Sequence, residues 1–327
     1  MTNLPKLLEA YNRNTLTFES VVIEIYNFQL QYNAVFRQYC ESIGRMLPIS
    51  QMSDIVYLPI SAYKAQQVVC RHDPVDNTPV TYTSSGTTAT TTSQHHLPSQ
   101  TAYLNGARLI FEESYGSLSD YTIFTLLPSY LERSGSSLVA MADHFIQHGR
   151  GGGFYLDDYQ NLAQQIAITQ GKILLIGVSF GLLDFIESGV ELDPNSDLTV
   201  METGGMKGRR KEISRDELHT LLRNAFGCDH IHSEYGMTEL CSQAYSSGSG
   251  IFDENRWLKI RLREITDPFA QARSHKPGVI QVIDLNNYQT CSFIETEDLG
   301  RRIGEGQFEV LGRLDNSDVR GCNLLML

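Results

Sequence analysis

The sequence is short of several features that mark whole classes of protein. Its six cysteines, at positions 40, 70, 228, 241, 291 and 322, form no CxxC pair and show no regular spacing. That argues against a zinc-ligand pattern or a disulfide framework, and points to reduced thiols in a cytoplasmic protein. Long apolar runs are also missing. The longest, Ile173 to Leu183, has 11 residues and includes two glycines and a serine, well short of the roughly 20 that span a bilayer. The N-terminus lacks a basic stretch followed by an apolar one, so no signal peptide is expected. Positive charge is scarce as well: 26 Lys and Arg face 38 Asp and Glu, a net charge of -12. Neither nucleic acid nor an anionic membrane suits such a surface. The one dense basic patch, Lys207-Gly208-Arg209-Arg210-Lys211, is too short to reverse the balance.

What is present is ordinary globular material. Hydrophobic residues make up 41% and charged residues 20% of 327 positions, enough for one large domain or two smaller ones. Residues 15–45 carry apolar side chains at helical spacing (Val21, Ile25, Phe28, Tyr32, Val35, Phe36, Tyr39) and predict one or two helices. Val80 to Thr83 reads as a strand, His95 to Ala107 as a helix, Tyr121 to Leu127 as a strand and Ser136 to Ile146 as a helix. Gly149-Arg150-Gly151-Gly152-Gly153 reads as a flexible loop; with Phe at 154 it does not satisfy G-x-G-x-x-G. Lys172 to Val178 predicts a buried strand followed by a helix to Glu187. Leu198 to Glu202 predicts another strand, and Ser214-Arg215-Asp216-Glu217 is a capping box that opens a helix to Ala225. From Val279 the pattern alternates: 279–283 and 291–294 flank a turn at Asn286-Asn287, a β-hairpin, and Gln307 to Leu311 is a last strand. The fold class is therefore mixed α/β.

Two segments carry chemistry. Ser84-Ser85-Gly86-Thr87-Thr88 follows a strand and offers hydroxyls, backbone N–H groups and a glycine, a combination that suits phosphate oxygens. In Tyr235-Gly236-Met237-Thr238-Glu239 a carboxylate stands beside a hydroxyl, a pair suited to a hard cation that bridges phosphates. A surface turn is the plain alternative for each.

Together the segments resemble the signature of the adenylate-forming enzymes. In order, the chain has Ser85-Gly86-Thr87-Thr88, Tyr235 to Glu239, Thr296-Glu297-Asp298 and Gly312-Arg313-Leu314-Asp315, spread over residues 80–322. The resemblance implies ATP and Mg²⁺ as cofactors, with Ser84, Ser85, Gly86, Thr87 and Thr88 around the phosphates. It places Glu239 on Mg²⁺, Thr238 at the α-phosphate, Tyr235 and Gly236 near the adenine, and Asp298 and Arg313 at the ribose. Thr203-Gly204-Gly205-Met206 falls where such enzymes turn glycine backbone, here Gly204 and Gly205, toward the adenine. The expected architecture is the large domain of that fold, with mixed sheets flanked by helices and a β-rich C-terminal part. A helical N-terminal part (1–79), a core (80–311) and a hinge-like tail (312–327) divide it. Two departures stand out. The phosphate loop lacks the usual lysine, for which Lys207 or Arg209 is the candidate replacement, and the mobile lid that normally follows the hinge is expected to be missing.

Within the superfamily the chain resembles the LuxE-type acyl-protein synthetases. Further segments that carry the likeness are 127–133, Ser179-Phe180, 183–187, 203–208 and the Arg320-Gly321-Cys322 element. The resemblance implies that a carboxylic acid, a fatty acid in that family, is activated as acyl-AMP and then held as a thioester on Cys322. An acyl-acceptor protein, a reductase or a carrier, is the expected partner. Two other functions stay open. Gly177-Val178-Ser179-Phe180-Gly181 matches a nucleophile elbow, so a serine acyl hydrolase could use Ser179 with Asp193 or Asp229 and with His230, His232 or His275. A non-catalytic acyl- or nucleotide-binding module is the second.

Overall fold

One large mixed sheet carries the fold. In a computed structural model the described residues are 3–72, 78–84, 92–127, 135–192, 197–204 and 213–314. Among them the helices are α1 (Leu4–Asn12), α2 (Phe18–Tyr32), α3 (Ala34–Ser42), α4 (Ala62–Ala65), α5 (Gln100–Tyr115), α6 (Ser137–His148), α7 (Tyr159–Ile168), α8 (Ser179–Glu187) and α9 (Arg215–Phe226). The first seven strands are β1 (Leu58–Pro59), β2 (Val80–Thr83), β3 (Gln94–Leu97), β4 (Thr122–Leu126), β5 (Gly152–Phe154), β6 (Ile173–Val178) and β7 (Leu198–Thr203). The other seven are β8 (His232–Tyr235), β9 (Ala244–Ser246), β10 (Ile251–Asp253), β11 (Leu258–Arg263), β12 (Gly278–Asp284), β13 (Phe293–Gly304) and β14 (Gln307–Arg313).

Twelve strands form the sheet, in the order β11-β12-β13-β14-β10-β9-β8-β7-β6-β4-β5, with β1 beside β13. From β5 to β8 neighbours run parallel. From β8 onward the path is antiparallel. This follows the sequence pattern: helices alternate with strands through the centre and strands dominate the end. Among the described residues β2 and β3 form a separate two-stranded ribbon.

The apolar run of β6 is buried along its whole length, as a parallel strand covered on both faces requires. Leu174 and Ile176 pack into the core beneath α5 and α6 with Phe111, Met141 and Phe145. Ile173, Leu175 and Val178 face the opposite way, toward Leu162, Phe185, Leu222 and Phe226 of α7 to α9. The Ser214 cap holds as expected: its Oγ accepts from Glu217 N–H at 3.2 Å, and α9 ends on Gly227 at φ 64°. Among the described residues no helix is long and apolar enough to cross a membrane.

Two local expectations are corrected. Residues 95–97 form strand rather than helix, because His95 and Leu97 are buried alternately with Gln94 and His96 against β2. The helix begins at Gln100, capped by Ser99. Gly152 and Gly153 lie in an edge strand, not in a loop. At Gly152, φ is 132° and a Cβ would stand 1.7 Å from Ile123 O, so only glycine allows that pairing.

The N-terminal helices join the β12–β13 hairpin through buried amides. Gln29 donates to Asn287 O and Tyr288 O, and Asn33, which ends α2 and caps α3, donates to Thr290 O at 2.8 Å. Phe293, fully buried, packs its ring against Tyr26, Phe36 and Tyr57 at this junction. Truncation of such a ring leaves a cavity. Phe293→Ala is expected to cost about 3–5 kcal/mol, read as a lowered denaturant midpoint; an unchanged midpoint would contradict the packing.

Candidate active site

The chain leaves β8 at Tyr235 and turns through 236–239 outside any ladder, closed by Leu240 N–H on Met237 O at 3.1 Å. Its next peptide carbonyls are held from elsewhere in the fold. His95 of β3 approaches Thr238 O with Nδ1 at 2.7 Å, and Asn287 Nδ2–H donates to Glu239 O at 2.8 Å. Just beyond, the buried Asp284 carboxylate accepts from Cys241 N–H (2.7 Å), Ser242 N–H (3.0 Å), Ser242 Oγ–H (2.6 Å) and Asn286 N–H (3.1 Å). A carbonyl facing Nδ1 places the imidazole proton there, so Nε2, 2.9 Å from Thr290 Oγ1, is the acceptor. The single Thr290 hydroxyl proton serves either His95 Nε2 or Asn287 Oδ1.

Glu239 is 6% exposed. Burial raises its carboxyl above the ordinary range, while a hydrogen bond from Ser93 and the charges of Arg313 and Lys64 oppose without cancelling the rise. Ser93 and Ser84 form the neck of the Ser/Thr loop: Ser84 N–H donates to Ser93 O and Ser93 N–H to Ser84 Oγ, both at 3.0 Å. The Glu239 carboxylate is therefore brought to the neck of the hydroxyl-rich loop. Among the described residues no three His, Cys, Asp or Glu side chains group as metal ligands. A hard cation at Glu239 would draw its further oxygens from a bound ligand or water.

A second cluster adjoins it. Tyr235 Oη donates to Asp298 Oδ2 at 3.0 Å, while its ring lies against Phe252 and Phe308. Asp298 faces Arg313 across the β13–β14 ladder, with Arg313 Nε 3.8 Å from Oδ1. Burial raises the Asp298 carboxyl, against the Tyr235 hydrogen bond and the Arg313 charge. Arg313, 74% exposed, also reaches Glu297 at 3.1 Å, and Lys64 lies 3.9 Å from the same carboxylate.

At the end of β7, Thr203 Oγ1 donates to Glu234 and Gly204 turns at φ 69°. Gly236 leaves room for the Glu234 carboxylate: a Cβ there would stand 2.2 Å from Glu234 Oε1 and would push that side chain aside. Of the predicted site residues, Ser84, Gly204, Tyr235, Gly236, Thr238, Glu239, Asp298 and Arg313 are described; Ser85, Gly86, Thr87, Thr88, Gly205, Lys207 and Cys322 lie outside the described residues. Sequence reasoning missed His95, Asn287, Asp284, Ser93 and Lys64.

Ser179 begins α8 directly after β6, as an elbow would. It is 2% exposed, and its hydroxyl donates to Glu202 Oε2 at 3.2 Å. The histidine in this cluster is His219, 3.5 Å from Glu202 Oε1 and 3.4 Å from Ser233 Oγ. Burial would raise the Glu202 carboxyl, yet His219, Arg215 and Ser233 outweigh it and hold it below the ordinary range. His232, one of the proposed bases, bonds Tyr115 Oη instead. Among the described residues Ser179 thus donates to a carboxylate and not to an imidazole, so the serine–histidine pair that the hydrolase reading needs is not formed there.

No family model matches the chain, and no curated protein matches it. Among solved structures it is similar to O-succinylbenzoate coenzyme A synthetase (MenE) from Bacillus subtilis in complex with AMP. The TM-score is 0.53 at 17% identity, over 73% of this chain and 49% of that one. The same enzyme with ATP and magnesium gives 0.52 at 16%, over 71% and 49%. ATP-bound MatB from Rhodopseudomonas palustris gives 0.51 at 14%, over 71% and 47%. The fold is that of the adenylate-forming enzymes. The chain spans about half the length of the solved structures it matches.

In this fold His95 is fully buried, and desolvation lowers its pKa from 6.5 to about 4, against the Thr238 and Asn287 hydrogen bonds. The unfolded chain takes the proton near 6.5 and the folded one only near 4. Stability is thus fully present above the upper value and lost as pH falls through the window, by roughly 3 kcal/mol. Urea unfolding between pH 7 and 4.5 should show this slope flattened in His95→Asn. Equal slopes in both proteins would contradict the burial of a neutral imidazole.

Proposed function

We propose that the chain activates a carboxylic acid with ATP as an acyl-adenylate and passes the acyl group to Cys322 as a thioester. A fatty acid is the substrate class and the LuxE-type acyl-protein synthetases the branch, both on the strength of the sequence resemblance. The observation that carries the reading is the buried Glu239 carboxylate held at the neck of the Ser84–Ser93 loop, within an adenylate-forming fold.

The residues fit Mg²⁺ at Glu239: a buried carboxylate whose desolvation the charges of Arg313 and Lys64 do not offset is what a hard ion would satisfy. When bound, the ion would supply charge neutralisation on the phosphates. The loop hydroxyls and N–H groups of 84–88 hold the phosphate oxygens, and Thr238 donates to the α-phosphate. Asp298 has lone pairs left beyond its Tyr235 bond for the ribose hydroxyls, with Arg313 beside it. Gly204 and Gly205 present backbone to the adenine. Lys207, three residues beyond Gly204, supplies phosphate-facing charge. A carboxylate oxygen of the acid attacks the α-phosphorus and pyrophosphate leaves. The Cys322 thiolate then attacks the acyl carbon and AMP leaves. A reductase or carrier receives the acyl group.

Intact-mass measurement after incubation with ATP, Mg²⁺ and fatty acids should show an acyl adduct. Cys322→Ala should lose the adduct yet keep acid-dependent exchange of labelled pyrophosphate into ATP. Exchange absent with every acid tested would overturn the activation step, and an adduct retained in Cys322→Ala would overturn the acceptor. Glu239→Gln keeps the shape and removes the charge; exchange is expected to fall on the order of 100-fold.

A further inference from the structure

The segment 236–239 has no ladder to fix its direction, yet both side chains assigned to phosphate and metal lie within it. Two buried donors fix the two peptide carbonyls instead: His95 Nδ1–H on Thr238 O and Asn287 Nδ2–H on Glu239 O. The carbonyls are thereby turned toward β3 and the Leu285–Asn287 turn. The His95 ring is itself held, edge to face against Tyr63 at 5.3 Å, with Nε2 on Thr290 Oγ1. β3 also carries the neck of the Ser/Thr loop, since Ser93 immediately precedes it. One imidazole therefore ties the strand that bears the loop to the turn that bears Glu239.

We propose that His95, seconded by Asn287, is the positioning residue that holds the Thr238 hydroxyl and the Glu239 carboxylate in register with the Ser84–Ser93 neck. The role rests on the nucleotide-site reading of Glu239. His95 is fully buried and bonds Thr238 O, so it acts through the backbone of its neighbour. Its effect accordingly falls on the cation dependence of nucleotide binding and on turnover, and leaves the affinity for the acid unchanged.

Two substitutions separate the ring's two ends. His95→Asn brings an amide N–H close to the position of Nδ1. His95→Gln carries its amide toward Thr290 and leaves Thr238 O without a donor. ATP binding to the full chain is measured by calorimetry over a Mg²⁺ titration, alongside acid-dependent pyrophosphate exchange and the thermal midpoint. His95→Gln should raise the half-saturating Mg²⁺ by about ten-fold or more, the effect expected of losing a supporting partner behind a metal ligand. It should also lower kcat for exchange while KM for the acid stays constant, and His95→Asn should recover most of both losses. Asn287→Asp, which removes the donor to Glu239 O, should shift the Mg²⁺ dependence in the same direction and serves if His95→Gln does not fold. Folded variants with the wild-type Mg²⁺ dependence overturn the positioning role alone. Equal losses in acid KM and Mg²⁺ dependence, unrescued by Asn, also overturn it, as general loosening. A wild-type chain that binds no ATP with Mg²⁺ removes the nucleotide-site reading and this role with it.

Discussion

The peptide groups from Gly236 to Ser242 must be bonded away from any strand, and that requirement organises the centre of the molecule. Asp284 alone gathers four donors there, and His95 and Asn287 supply the carbonyl partners. A buried carboxylate is costly unless its lone pairs are filled. Asp284 meets that condition with two backbone donors and one hydroxyl from a single turn, and a further N–H from its own hairpin. The consequence is rigidity where the protein carries Thr238 and Glu239. The N-terminal helices take part at one remove, because Gln29 and Asn33 bond the same hairpin that presents Asn287.

Acidic groups crowd the site: Glu239, Glu297 and Asp298 lie near Arg313 and Lys64. Burial has raised Glu239 and Asp298, so neither charge is fully compensated by the protein. Such an arrangement favours cations and hydroxyl donors over further anions. Glu202, on the other face of the sheet, shows the opposite balance: His219 and Arg215 keep it ionised, and it serves to join α8 and α9 to β7.

Much of this was legible where the signal is local. The apolar run of β6, the Ser214 cap and the alternation of β12 each need only a few neighbouring residues to be read. Tyr235 and Asp298, singled out from short motifs 63 positions apart, do meet in the fold, at 3.0 Å. Long-range bonds were not legible. His95 lies 143 positions from the carbonyl it holds, and its neighbourhood read as a helix because α5 begins only five residues later. Asn287 read as a turn residue, which it is, while its side chain does its work on Glu239. Ser179 read as a nucleophile because a strand, a serine and a helix fit the elbow pattern; burial against Glu202 is invisible in that pattern.

The neck of the Ser/Thr loop is independent of the large sheet. Ser84 and Ser93 close the loop at its base with two hydrogen bonds, and among the described residues the ribbon that carries it pairs with no strand of the large sheet. A change at Ser84 or Ser93 would accordingly loosen the base of the ribbon and leave the register of the large sheet as it is.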